Sequence, residues 1–173
     1  DPAGRRVPCQ LGPPQALRPT VQKPNDIPSP FHAVRYPVHL LLDEVPAMGY
    51  RTVLARPGKA RGRWGPRLSP RRDVLENEHL RAVVHPDGTF DLLDKATGRL
   101  YGGLHAFEDG GEIGDPWNRI VPETDEVLTS RGGKARVRRV ENGPLVARLE
   151  VEVTMRLPEG VTPDRSRRSA KRV

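Results

Sequence analysis

The sequence predicts an all-β fold, an antiparallel β-sandwich assembled from short strands, and three observations carry that reading. Ala147, Leu149, Val151, Val153, Met155 and Leu157 alternate without a break with Arg148, Glu150, Glu152, Thr154 and Arg156. A strand separates two such sets onto opposite faces, whereas a helix would scatter both around its surface. The 173 residues include 19 prolines and 17 glycines, a density that suits turns and short extended pieces rather than long helices. Between Leu80 and Leu93, an alternating stretch, a Pro-Asp-Gly turn and a second apolar stretch follow one another as a hairpin would.

In chain order, the first 70 residues hold 13 of the 19 prolines, and those between Leu11 and Pro30 predict an irregular, even disordered, loop. Val34 to Leu42 reads as a strand entering an acidic turn at Asp43-Glu44. The segment Val45-Pro46-Ala47-Met48-Gly49 suits a tight bend, and Tyr50 to Ala55 reads as the strand after it. Residues 56–72 carry seven basic side chains and no acidic one, which reads as a linker anchored by Trp64. Leu80, Ala82 and Val84 then form one face of a strand. His85-Pro86-Asp87-Gly88 turns into Thr89 to Leu93, and Asp94 to Gly98 turns again into Arg99-Leu100-Tyr101. Arg131-Gly132-Gly133-Lys134 fits a two-residue hairpin, since glycine tolerates positive φ at both turn positions, and Asn142-Gly143 offers a second such turn. The last strand is expected to end at Leu157-Pro158-Glu159-Gly160, leaving a charged tail, Asp164 to Val173, that is helical or frayed.

The net charge of +7 divides unevenly. Residues 1–72 carry a net +9, residues 73–164 a net −7, and the tail adds five basic side chains. Basic character therefore belongs to the two ends. No apolar run approaches the ~20 residues needed to span a bilayer, so no membrane partner is expected. The chain begins on a polar Asp1 rather than on Met, which reads as a piece of something longer without a signal peptide. A single cysteine, Cys9, excludes an internal disulfide framework.

Several strings carry a family resemblance. Leu75-Glu76-Asn77-Glu78-His79-Leu80-Arg81 is followed by Pro86-Asp87-Gly88-Thr89, by Leu92-Leu93-Asp94-Lys95-Ala96-Thr97-Gly98-Arg99, and by Phe107-Glu108-Asp109-Gly110-Gly111 with Gly114-Asp115. Upstream stands Asp43-Glu44-Val45-Pro46-Ala47-Met48-Gly49-Tyr50-Arg51-Thr52. Together and in this order they resemble the β-rich part of the bacterial α-mannosidases of glycoside hydrolase family 38. The resemblance implies that residues 1–55 are the end of a small β-domain with a Pro-rich loop, 56–72 a basic linker, and 73–173 the first strands of a large sandwich.

The resemblance also implies a retaining glycosidase that cleaves terminal α-mannosides through a covalent glycosyl-enzyme, in a bacterial cytoplasm. In such enzymes the catalytic carboxylates and the zinc ligands lie in an N-terminal catalytic domain, which becomes the expected partner of this chain. None of those positions matches here, so no catalytic residue, metal ligand or cofactor is expected in the chain itself. The loop 107–119 is expected to approach the sugar, with Asp115, Trp117 and Asn118 as its substrate-proximal residues. Trp117 stands where the family usually has Tyr, which keeps a flat apolar surface but loses the hydroxyl. Arg119 stands where a second aromatic is expected.

Read without the family, Glu108, Asp109, Glu112 and Asp115 with three glycines could suggest a calcium loop, but the spacing is not that of an EF-hand and a solvated loop is preferred. His79 and His85 share a strand face but lie too far apart to bind one metal, and His32, His39 and His105 have no ligand at suitable spacing. A basic run with one Trp could grip nucleic acid, although the acidic central segment argues against a broad nucleic-acid face. A free-standing carbohydrate-binding sandwich would need Tyr101, Phe107 and Trp117 to converge.

Overall fold

The computed structural model describes residues 4–23, 26–56, 58 and 65–173. Trp64 and part of the basic run it was expected to anchor, residues 57 and 59–64, lie outside the described residues. Every regular element among them is a β-strand, in agreement with the all-β expectation, and the chain divides into two units. The first unit holds residues 1–68 with 141–147, and the second holds 69–140 with 148–173.

The first unit overturns the expectation of an irregular Pro-rich loop. Strands β1 (Cys9–Leu11), β2 (Gln15–Leu17) and β3 (Thr20–Lys23) run one way, and β4 (Asp26–Pro30), β5 (Ala33–Arg35) and β6 (Val38–Leu40) return. They pair as nested antiparallel ribbons, β3 with β4, β2 with β5 and β1 with β6. The result is one long hairpin broken into short ladders. Pro13, Pro14 and Pro19 sit at the breaks on the outgoing arm, and Pro37 on the return. The amides of Gly12 and Phe31 cross those breaks to the carbonyls of Pro37 (2.8 Å) and Pro19 (3.1 Å). Proline is tolerated here because each strand has one neighbour, so an outward N–H would have no ladder partner to lose.

Val34 to Leu42 is accordingly two strands, interrupted at Tyr36-Pro37, rather than one. The bend at 46–49 forms, closed by the Gly49 amide on the Pro46 carbonyl at 3.1 Å. Tyr50 to Ala55, expected as a strand, is irregular, because no described strand offers it a ladder.

Residues 141–147 are held in this unit by the side chains of Gln10 and His39 and by the Leu68 amide on the Gly143 carbonyl at 3.0 Å. Gln10 is 8% exposed. Its Oε1 accepts from the amides of Leu145 (3.0 Å) and Val146 (2.9 Å), and its Nε2 donates to the Val146 carbonyl (2.8 Å) and to Glu141 Oε1 (2.7 Å). His39, directly opposite Gln10 in the β1–β6 ladder, places its Nε2 2.9 Å from the same Glu141 oxygen. Such a network satisfies the polar groups of a turn without apolar burial.

In the second unit β7 (Val74–Glu76), β8 (Leu80–Val84), β9 (Phe90–Asp94) and β10 (Leu100–Leu104) form an antiparallel sheet in the order β10-β9-β8-β7. The expected strands and turns of 80–101 are all present here. Each turn is held by a short polar side chain. Asn77 Oδ1 accepts from the amides of His79 and Leu80, and Asp94 Oδ1 from the amide of Ala96 at 2.9 Å. Asp87 Oδ1 takes the Thr89 amide and hydroxyl, while its Oδ2 takes the Gly132 amide at 3.0 Å. Those bonds, from Gly132 and Thr89, hold the Asp87 carboxyl down at about 2.

Val74, 1% exposed, is the only large apolar side chain buried among the described residues. Leu80, expected on the buried face of its strand, is 43% exposed. Gly88 has φ +88°, and a Cβ there would lie 2.7 Å from Val153 Cγ2 and 3.0 Å from Ala135 Cβ. The turn therefore packs backbone-first onto the inner, half-buried face of the ribbon formed by β13 (Ala135–Asn142) and β14 (Ala147–Val153). The strand expected over 147–157 stops at Val153, while on its outer face Arg138 grips Glu150 at 2.8 Å.

A shorter ribbon joins β11 (Glu108–Asp109) to β12 (Leu128–Thr129). Arg131 to Lys134 does turn, with Gly132 at φ +75°, but it links β12 to β13, which do not pair, so it is no hairpin. Asn142-Gly143 does lie in the turn joining β13 to β14, closed by the Gly143 amide on the Val146 carbonyl at 3.0 Å. The tail is neither helical nor frayed. It doubles back through isolated bridges, Val161 with Arg168 and Pro158 with Arg172. Arg168 inserts its guanidinium between the Asp109 carboxylate and carbonyl and the Glu126 carbonyl, which fixes the tail beside β11.

Three outcomes are expected. Gln10→Leu leaves two turn amides unsatisfied and should destabilise by roughly 2–4 kcal/mol; hydrogen exchange should show lost protection at Leu145 and Val146. Gly88→Ala meets both crowding and an unfavourable φ, and should cost about 2–4 kcal/mol in denaturant unfolding. The Asp87 carboxyl is depressed in the folded state, so its contribution is fully present above the ordinary carboxylate range and is lost as pH falls through about 2. Asp87→Asn should therefore lower the thermal midpoint near neutral pH, with the difference vanishing at the acid end of that window.

Candidate functional site

The loop after β11 is built by carboxylates that accept backbone hydrogen bonds. Gly111 donates to Asp125 Oδ1 at 2.8 Å. The strands of the loop then approach each other, with the Ile113 amide on the Ile120 carbonyl (2.9 Å) and the Asp115 amide on the Asn118 carbonyl (3.1 Å). Glu112 Oε1 bridges them, accepting from Gly114 (2.6 Å) and Ile120 (3.0 Å). A Cβ on Gly114 would fall 1.9 Å from the Asn118 carbonyl oxygen, so only glycine admits this closure.

Asp115 closes the tip. Its Oδ1 accepts from the Trp117 amide (2.8 Å), the Asn118 amide (2.9 Å) and Asn118 Nδ2 (3.2 Å). The structure thus brings Asp115 and Asn118 together. Trp117 stands apart from them at the apex with 91% of its surface exposed. Arg119 lies 3.9 Å from Glu112, a loose exposed pair.

The electrostatics follow from those bonds. The Ile120 and Gly114 amides lower the Glu112 carboxyl below its ordinary value, and the Trp117 amide with the Asn118 side chain does the same for Asp115. Both groups are ionised at neutral pH and committed as acceptors, which unfits them to donate a proton to a leaving group. What the loop can offer chemically is an exposed indole face on a tip whose backbone is held by Asp115.

The remaining candidates disperse. Tyr101 lies under Arg99, 4.8 Å from guanidinium carbon to ring centroid, while Phe107 packs edge-on against His105 at 4.9 Å. Neither ring meets Trp117 among the described residues. His85 bonds Asp91 at 3.1 Å and His79 lies 3.3 Å from Glu78. His39 pairs with Glu141, about a hundred residues away in sequence, rather than with the nearby Asp43 or Glu44. No three His, Cys, Asp or Glu side chains among the described residues come together as a metal site.

The sequence reading missed one concavity. A cleft of about 170 Å³ in the first unit is lined by Arg5, Arg6 and Arg51 with Asp43 and Glu44 over Leu41 and Leu42. Its charged groups come from segments about forty residues apart, so no local pattern announces it.

No family model matches the chain. A protein of Halalkalibacterium halodurans described as "Putative mannosylglycerate hydrolase" is 33% identical over 89 residues, 51% of this chain and 10% of that protein. An α-mannosidase from Enterococcus faecalis V583 superposes on the whole chain with a TM-score of 0.74 at 20% identity, using 21% of its own length. A glycosyl hydrolase family 38 protein from Enterococcus faecalis does so with a TM-score of 0.73 at 21% identity, using 22%. The chain therefore spans about a tenth of the curated relative and about a fifth of the solved structures. In fold the whole chain is similar to about a fifth of an α-mannosidase and of a glycosyl hydrolase family 38 protein, and over half of its length it is similar in sequence to a protein described as a mannosylglycerate hydrolase.

Proposed function

We propose that this chain is a non-catalytic β-portion of a longer retaining α-mannosidase that hydrolyses terminal α-mannosides. The observation that carries the reading is the superposition of the entire chain on about a fifth of an α-mannosidase. The relative described as a mannosylglycerate hydrolase adds a sequence link to the same class of substrate. The loop carboxylates accept backbone hydrogen bonds, and the described side chains do not assemble a metal site, so zinc does not fit the described residues. Nucleophile, acid/base and zinc ligands are assigned to the remainder of the longer protein.

In this reading the strands are scaffold, and the tip Asp115-Pro116-Trp117-Asn118 is the part that reaches the sugar. The exposed indole offers a flat apolar face for a pyranose ring, and Asp115 holds the tip so that little freedom is lost on binding. The longer protein should release mannose from an aryl α-mannoside while this chain alone should not; turnover by the isolated chain would overturn the proposal. Trp117→Ala in the longer protein should raise KM about tenfold with kcat changed far less, and Trp117→Phe should restore most of the loss. An unchanged KM would remove the loop from the substrate site.

A further inference from the structure

The β1–β6 ribbon has two faces of opposite character. Gln10 and His39 form one face and are spent on residues 141–147. The other carries the directly opposed pairs Cys9 with Leu40 and Leu11 with Val38. This second face holds no charged group, yet Leu11, Val38 and Leu40 are 51%, 49% and 44% exposed. A ladder holds these side chains in register, so the strip is preformed. Leu41, beyond the end of β6, is also exposed.

Soluble monomers rarely leave a contiguous aliphatic strip in water. Its composition, aliphatic with no charge, is that of an obligate interface rather than of a transient one, which would carry more polar groups. The solved chains that contain this whole fold are nearly five times its length, because it covers 21% and 22% of them. A partner on the same polypeptide is always present at high effective concentration and would cover the strip ahead of any separate molecule.

We propose that the Cys9, Leu11, Val38 and Leu40 face is a permanent intramolecular docking surface, covered by an apolar surface of the remainder of the longer protein. The inference rests on the chain belonging to a longer polypeptide, but not on what that polypeptide hydrolyses.

Cys9 supplies a direct reporter, since it lies in the strip. Maleimide labelling, read by mass mapping of the Cys9 peptide, should be at least tenfold slower in the longer protein than in the isolated chain. Equal rates would overturn the proposal. Leu40→Asp should lower dye binding to exposed apolar surface and raise the solubility of the isolated chain, while lowering the thermal midpoint of the longer protein by roughly 5 °C. Should Leu40→Asp fail to fold, the nearly isosteric Val38→Thr should lower the same midpoint by a smaller amount. An unchanged midpoint in both variants would sink the idea. Slow Cys9 labelling that speeds up on dilution, as a dimer dissociates, would assign the strip to a second copy and overturn the intramolecular form. None of these readouts requires turnover, so an inactive longer protein would count against the proposed hydrolase alone.

Discussion

With Val74 the only large apolar side chain buried among the described residues, the chain relies on side chains that satisfy its turn backbone. Gln10 is the clearest case. Its single amide group completes four hydrogen bonds to residues more than 130 positions away in sequence and holds the 141–147 turn in place. Asn77, Asp87, Asp94, Asp115 and Asp164 serve nearer turns in the same way. Each takes amides of its own turn; at the exposed turns water is the competing partner, so each bond adds modestly, on the order of 1 kcal/mol. The thin core and the half-exposed strip on β1–β6 are two aspects of one condition: many of the large apolar side chains among the described residues are exposed.

The same device shapes the acid-rich loop after β11. Glu112 and Asp115 are each taken up by amides of their own loop. Lowered carboxyls that accept two or three hydrogen bonds stiffen a loop; they do not deliver protons. Their effect is to hold the backbone of the tip around Trp117. Arg168 does comparable work from below, tying the tail to Asp109 and Glu126.

Local chemistry was legible wherever a turn residue and a strand period agreed. The hairpins over 80–101 needed only Asn77, Asp87, Gly88 and Asp94 in place, and they form as read. The Pro-rich segment was misread because proline density was treated as a bar to strands. Proline forbids a central strand, whereas a ribbon with one neighbour leaves half its amides unclaimed, and Pro13, Pro14, Pro19 and Pro37 fall between its short ladders. Tyr50 to Ala55 failed for the converse reason. It has strand-like residues and no described strand beside it, and a β-strand exists only through its partner.

By itself the sequence determined the all-β class, the turn positions from residue 80 onward and the resemblance to family 38, because these rest on short-range rules and contiguous strings. Tertiary structure alone decided that His39 meets Glu141, that Gln10 carries a distant turn, and that the Pro-rich arm pairs with β4 to β6. It also decided that Trp117 projects while Asp115 and Asn118 close beneath it. Each of these depends on which distant backbone lies opposite a side chain, and no window along the sequence contains both members of such a pair.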